Sequence, residues 1–262
     1  MSAIITSIYN CPVKSISFQN IDKCKINKNI GIEGDRVFAF SQNLDLDQSK
    51  EFEKNPEARK GKWNKIVTLK NTPVFNKYNF LYENNKLTLT IKDKEIININ
   101  VNDSNERNNL VKKLIELEGS LKNDIRLMRN DEHPFYDTSI SNKSMFRNSI
   151  SLLNINSIKD FENKIDQKIE KSIFRGNLYF DGIEAWEERN WIGKTIKIND
   201  VLFKVEKNIP RCVAINLKPK TDDNSFNLLK TLKETYDHYD MGVYLTPEND
   251  GEINLSEKIL IK

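Results

Sequence analysis

The adjacent pair Arg211-Cys212 holds the most chemical potential in this 262-residue chain. A cation beside a thiol favours the thiolate, and a soft thiolate is a ligand for thiophilic metals as well as a nucleophile. The same cysteine also suits plain packing, as a small apolar side chain ahead of Val213-Ala214-Ile215. Other basic groups stand at turns beside strand-like runs. Lys14 and Ser15 end the run Tyr9-Asn10-Cys11-Pro12-Val13-Lys14-Ser15, Arg36 ends the glycine-punctuated turn Gly31-Ile32-Glu33-Gly34-Asp35-Arg36, and Arg175 and Asn177 flank Gly176. Arginine grips an anion with a two-pronged fork and lysine adds a point charge, so convergence of several of these groups would make a phosphate or anion site. The residues by themselves allow an anion pocket with a thiol that is reactive, metal-binding or merely packed.

The other common chemistries are absent. The chain has no P-loop, no Gly-x-Gly-x-x-Gly, no Gly-x-Ser-x-Gly and no His-Glu-x-x-His, and its two histidines, His133 and His238, cannot build a histidine-rich metal site. Cys11, Cys24 and Cys212 form no Cys-x-x-Cys pair, which excludes a zinc ribbon, an iron-sulfur module and a disulfide framework and fits a reducing, cytoplasmic setting. Forty-one Lys and Arg against 38 Asp and Glu leave a net charge of +3, too balanced for a dedicated nucleic-acid binder. No apolar run approaches the roughly 18 residues of a membrane helix. Met1 to Tyr9 lacks a basic n-region and a cleavage site, so no export signal is expected.

The elements that must position these groups are mainly strands. Ile4–Tyr9, Ile21–Ile26, Arg36–Phe40, Ile66–Leu69 and Lys86–Ile91 alternate or are β-branched, and Leu110, Val111, Leu114, Ile115 and Leu117 then repeat at helical spacing up to Gly119. This predicts a first unit over residues 1–120 and a second over 121–262. In the second, a helix from an Asn154 cap to Ile165 leads to strands at Gly176–Asp181, Lys194–Ile198, Val201–Val205, Cys212–Leu217 and Met241–Thr246, with a helix over Phe226–Tyr236. The predicted fold class is α+β with strands dominating. The expectation for Arg36 is a side chain held by a regular strand.

Taken in order, these blocks resemble the MOSC proteins that carry an N-terminal MOSC β-barrel domain, a group that includes the mitochondrial amidoxime-reducing component and its bacterial relatives. Tyr9 to Ser15 is similar to the family's Tyr-Pro-Val-Lys-Ser, Gly31 to Arg36 to its Gly-Leu-x-Gly-Asp-Arg, and Phe174-Arg175-Gly176-Asn177 to its Phe-Arg-Pro-Asn. Asp181-Gly182 with Trp186, Glu187, Glu188 and Trp191 resembles its Asp-Gly-x-x-x-Trp-x-Glu-Asp-x-Trp, and Pro210-Arg211-Cys212 with Pro219 resembles its Arg-Cys-x-x-Thr-Thr-Val-Asp-Pro. Gly242-Val243-Tyr244 with Asp250-Gly251 and Ile253 resembles the closing segment. The resemblance implies a β-barrel-like domain over residues 1–120, a β-barrel MOSC domain with a few helices over 121–262, and a bound molybdenum cofactor. Cys212 would be its metal ligand and catalytic residue, with Lys14, Ser15, Arg36, Asn148, Ser149, Arg175, Asn177 and Arg211 holding the pterin and its phosphate. The family's Thr-Ser pair falls near Arg147-Asn148-Ser149, while Gly176 stands in place of its proline. The implied reaction is reduction of N-hydroxylated substrates such as amidoximes and hydroxylamines, with electrons from a separate ferredoxin, flavodoxin or cytochrome. The resemblance leaves two other roles for the same domain: a cofactor or sulfur carrier using Cys212, and a barrel that binds something else.

Overall fold

The computed structural model describes residues 2–16, 18–121, 124–136, 148–221 and 223–262. Arg147, named above, and the segment from Asp137 that leads to it lie outside them. In chain order the elements are β1 (Ile4–Asn10), β2 (Gln19–Ile21), β3 (Lys23–Asn27), β4 (Gly31–Ile32), β5 (Phe38–Ser41), α1 (Leu46–Lys54), β6 (Tyr78–Glu83), β7 (Lys86–Ile91), β8 (Lys94–Asn100) and α2 (Ser104–Leu117). They continue with β9 (Arg126–Arg129), β10 (Ile150–Asn154), α3 (Ile155–Ile165), β11 (Leu178–Asp181), β12 (Thr195–Ile198), β13 (Val201–Pro210), α4 (Leu228–Tyr236), β14 (Asp240–Pro247), β15 (Gly251–Asn254) and β16 (Ile259–Ile261). The fold is α+β with sheet predominating.

One compact unit comprises residues 1–10, 20–33 and 148–262. Its main sheet runs in the order β16-β12-β13-β14-β10-β11-β1-β2, β15-β3-β4 form a smaller one, and a bridge from Ile4 to Lys258 ties β1 to the segment just before β16. Backbone bonds from Ile259 N–H to Ala3 C=O at 2.9 Å and from Ser256 N–H to Ile5 C=O at 2.9 Å complete the closure, so the strands form a barrel. From β16 to β1, neighbours are antiparallel except β10 and β11, which run parallel because α3 crosses between them. Strand alternation sends Ile150, Leu152, Leu178, Phe180, Phe203, Val205, Val243 and Leu245 into one core, and a register shift after Ile5 in β1 lets both Ile5 and Ile8 join it. Burying each such side chain is worth about 1.5–3 kcal/mol. At Gly242, in β14, φ is +80° and a Cβ would stand 2.5 Å from the Leu152 carbonyl oxygen, so the strand can hug β10 only with glycine there.

The other unit comprises residues 11–19 and 34–147. It holds the meander β6-β7-β8, the pair β5-β9, and α1 and α2. Asp103 caps α2 by accepting from the backbone N–H groups of Asn105 and Glu106. Arg59 is buried with its guanidinium on the carbonyls of Phe52, Glu53 and His133, at 2.6, 2.9 and 2.7 Å, and over the Phe135 ring. Burial pulls its pKa down to about 10.

These contacts partition the chain differently from a cut after residue 120, because β1 pairs with β11 and β3 with β15 across long stretches of sequence. Three local expectations are corrected. Ile66–Leu69 makes a single bridge, Ser41 to Ile66, rather than a strand. Arg36 sits before β5 at φ +56°, in a turn rather than a strand. Cys212–Leu217 is a short 3-10 turn over Val213–Asn216, closed by the Ile215 N–H on the Cys212 carbonyl at 3.1 Å.

Candidate functional site

The turn from Lys171 to Asn177 connects a single 3-10 turn, Lys171–Phe174, to the start of β11. Arg175 adopts the left-handed conformation at φ +50°, a strained geometry for a residue with a Cβ, and its N–H closes the turn on the Ser172 carbonyl at 2.9 Å. Neighbouring groups hold the strain in place. The Gly176 N–H donates to the Tyr179 hydroxyl at 3.0 Å, and that hydroxyl donates to the Lys171 carbonyl at 2.9 Å. A Cβ at residue 176 would stand 2.4 Å from Leu153 Cδ1, and a proline would also delete the N–H that Tyr179 accepts, so the glycine that replaces proline in the resembled element has a local cause.

Asn177 is buried and fully engaged. Its N–H donates to Ser151 Oγ at 2.8 Å, its Oδ1 accepts from the same hydroxyl at 2.8 Å, and its Nδ2 donates to the Tyr9 carbonyl at 3.3 Å. Asn177 therefore ties the starts of β10 and β11 to the end of β1. Asn148 and Ser149, just before β10, are both buried, and Asn148 Nδ2 donates to the Lys28 carbonyl.

Arg211, at the end of β13, bridges two segments. Its Nη1 donates to the Phe174 carbonyl at 2.7 Å, its Nε to the Met241 carbonyl at 3.0 Å, and its Nη2 to the Met241 carbonyl as well. Its backbone N–H donates to the Tyr239 carbonyl at 2.8 Å. Burial pulls the guanidinium pKa below its ordinary value, and Tyr244, Tyr179, Cys212 and Asp240 partly offset that pull. Arg211 thus fastens the Arg175 turn to β14 and sets a cation beside Cys212. The thiol of Cys212 is exposed, whereas Cys11 and Cys24 are buried, so the packing role open to Cys212 from sequence is excluded. The 3-10 turn begins directly after it and leaves its side chain outside any ladder.

Lys14, Ser15 and Arg36 belong to the other unit. The Lys14 N–H donates to the Phe38 carbonyl at 2.8 Å, its side chain is largely buried, and Ser15 turns the chain at φ +64°. Arg36 forms an ion pair with the buried Asp35, whose other oxygen accepts the Cys11 N–H at 2.7 Å, and its guanidinium lies over the Tyr136 ring. The Tyr136 hydroxyl titrates well above the usual tyrosine range, through burial first and Asp35 second.

Sequence reading missed several members of this arrangement. Tyr179 falls in the strand expected over Gly176–Asp181, and neither Ser151 nor Lys171 is singled out by the sequence. Lys171 is half-buried, its Nζ donates to Ser7 Oγ at 2.5 Å, and it lies 5.2 Å from the centre of the Tyr179 ring and 5.9 Å from that of Tyr9. Burial lowers its pKa. The signal in the sequence was only a lysine four residues before Arg175 and a tyrosine four after it, a spacing that means nothing until the turn closes. Among the described residues no group of three or more His, Cys, Asp or Glu side chains could hold a metal ion, and no helix is long and apolar enough to cross a membrane.

Comparison with known proteins adds the following. Residues 137–259 match the family model of the MOSC domain. The chain is 33% identical over 72 residues to the rat mitochondrial amidoxime reducing component 2, covering 28% of this chain and 21% of that protein. It is 28% identical over 134 residues to a molybdenum cofactor sulfurase of Drosophila yakuba, covering 49% of this chain and 16% of that protein. These matches therefore span about a fifth or less of the relatives' own lengths. Among solved structures, YuaD from Bacillus subtilis aligns with 11% identity and a TM-score of 0.46, covering 100% of this chain and 96% of that one. YiiM from Geobacillus stearothermophilus aligns with 15% identity and a TM-score of 0.35, covering 43% of this chain and 53% of that one.

Proposed function

Because the chain carries a MOSC domain over residues 137–259, we propose that it binds a molybdenum cofactor and reduces N-hydroxylated compounds. The observation that carries this reading is the exposed Cys212 thiol next to the Arg211 cation, beside a strained turn presenting Arg175. The donor set fits the group. The exposed Cys212 thiol would offer a metal one soft ligand, and the group itself would supply the rest. A pterin dithiolene does that, and its phosphate calls for basic partners.

In this reading Cys212 would be the protein ligand to molybdenum, and Arg175, Asn177, Asn148, Ser149 and Arg211 would hold the pterin and its phosphate. Lys14, Ser15 and Arg36 are carried over from the resemblance as further anion-binding residues. The bound cofactor supplies the two-electron chemistry that takes oxygen from an N–OH group. The net conversion, N–OH plus two electrons and two protons to N–H plus water, draws its electrons from a separate ferredoxin-, flavodoxin- or cytochrome-type protein. The chain's own part is to orient and charge-match. Arg211 keeps a positive charge beside the thiol and fixes the Phe174 carbonyl, while Asn177 ties together the strand ends next to Arg175. We place the protein in the cytoplasm.

A second reading, cofactor or sulfur transfer through Cys212, is favoured by the greater share of this chain that aligns with the sulfurases, 49% against 28%. Purification from a cofactor-producing host separates the two. Molybdenum with pterin and turnover of an amidoxime with dithionite-reduced methyl viologen supports reduction. A persulfide on Cys212 by mass spectrometry, with no turnover, supports transfer and contradicts the reductase reading.

A further inference from the structure

The backbone that leads from α4 into β14 carries Arg211. The Tyr239 carbonyl accepts the Arg211 N–H at 2.8 Å and the Met241 carbonyl accepts its guanidinium at 3.0 Å, within electrostatic reach of Cys212. Just before them Asp237 ends α4 in the left-handed conformation at φ +58°, its N–H on the Lys233 carbonyl at 2.9 Å. The imidazole of His238 then shapes the turn. Its Nδ1 accepts the Asp240 N–H at 3.1 Å, two residues on, as an Asn or Asp oxygen does in an Asx turn. An Nδ1 that accepts carries no proton, so the ring is the neutral tautomer with its hydrogen on Nε2. The half-buried ring is itself held in place. It stacks on Tyr236 at 5.8 Å and stands edge-on to Trp186 at 5.6 Å, and one Asp160 oxygen accepts from the Trp186 indole and from the Tyr236 hydroxyl, each at 2.7 Å.

We infer that His238 is a positioning residue for the Arg211–Cys212 pair, and one that a proton operates. Neutral, its Nδ1 holds the turn that sets the Tyr239 and Met241 carbonyls under Arg211. Protonated, Nδ1 becomes a donor facing the Asp240 N–H, the turn opens, and the guanidinium loses its fixed place beside the thiol. The inference rests on the proposed role of Arg211 beside Cys212 and adds a residue and a pH dependence to it. The groups around the ring set the balance. Arg189, in the 3-10 turn Glu187–Trp191 and paired with Asp240 at 3.5 Å, opposes a further positive charge, as does Lys233 on α4. Asp240 and Asp237 favour one, and α3 contributes Asp160 and Lys164 across the Tyr236 ring. Burial first and Arg189 second draw the histidine below its ordinary value, so the turn is intact at neutral pH and opens only below about pH 6.5.

The test uses the full chain purified from a host that cannot make the cofactor, with iodoacetamide as the probe. Peptide mass spectrometry separates alkylation of Cys212 from that of the buried Cys11 and Cys24. Rates are compared for wild type, His238→Asn and His238→Phe between about pH 5 and about pH 8, as ratios at each pH so that the thiol's own titration cancels. Asparagine keeps an acceptor for the Asp240 N–H and takes no proton, whereas phenylalanine keeps a ring to stack and has no acceptor. The expected wild-type rate equals that of His238→Asn at the upper end and falls roughly two- to fivefold, to that of His238→Phe, at the lower end. The ratio between the two variants should stay constant throughout. A purely structural histidine would give a wild-type to His238→Asn ratio that does not change with pH, and this would overturn the inference. Equal rates for the two variants would overturn it as well, by showing that the turn does not reach the thiol. Metal and pterin play no part in either result, so failure here is separate from failure of the cofactor reading.

Discussion

At the scale of single residues, Arg211 and Cys212 divide the work. The guanidinium of Arg211 makes three of its bonds to two backbone carbonyls, so removing it strands buried acceptors. Arg211→Met should lower stability by about 2–4 kcal/mol in urea denaturation. Arg211→Lys should recover only part of the loss, because an ammonium cannot fork between Phe174 and Met241. Cys212→Ala, at an exposed position, should change stability by no more than about 0.5 kcal/mol. The identity of this pair was legible in the sequence, including the cation beside the thiol. The bonds of the guanidinium were not, because its acceptors are main-chain oxygens that any residue could supply and that lie on elements distant in sequence. The same holds for Tyr179, whose hydroxyl matters only because the turn before β11 folds back on it.

At the scale of elements, the start of α3 shows what local signals reach and where they stop. Asn154 reads as a helix cap from sequence and is one, accepting the Asn156 N–H at 3.0 Å. The cap is reinforced from far away by Glu188, fully buried, whose carboxylate accepts from Ser157 Oγ at 2.8 and 3.0 Å and from Asn154 Nδ2 at 3.1 Å. Burial raises the Glu188 pKa against the opposing pull of those hydrogen bonds. The unfolded chain therefore ionises this group at lower pH than the folded protein does, and stability falls as pH rises from the ordinary glutamate range through the raised folded value. Glu188→Gln removes that dependence, so the stability advantage of wild type over the variant should narrow as pH rises above the ordinary glutamate range of about 4 in denaturant titrations. A widening gap would mean that the folded state favours the carboxylate. In β14, Gly242→Ala should cost about 2 kcal/mol or more, since φ +80° and the Leu152 carbonyl both oppose a Cβ. Elements with clean alternation or a 3.6 period, such as β1, β7, α2 and α3, were readable. Cys212–Leu217 was not, because a short apolar run after Pro210 has the composition of a strand while its backbone closes on itself.

At the scale of the whole chain, the barrel closes only when the first strand meets the last. The Ile4–Lys258 bridge and the bonds of Ala3 and Ile5 to residues 256–259 make this seam, so removing residues 256–262 should abolish cooperative unfolding of the barrel unit, seen as a broad, shallow thermal transition. No local pattern announces such pairing, and for that reason a division at residue 120 differs from the units that the contacts define. The ordered motifs resemble those of the MOSC family, and residues 137–259 match the family model of the MOSC domain. The central claim, that this domain holds a molybdenum cofactor through Cys212, is tested most directly by molybdenum and pterin content. Wild type and Cys212→Ala would be purified from a cofactor-producing host that demonstrably loads another molybdoenzyme. The account predicts near-stoichiometric molybdenum with pterin in wild type and loss of the metal in a folded Cys212→Ala protein. Absence of both metal and pterin from wild type, or full retention of molybdenum without the thiol, would contradict it.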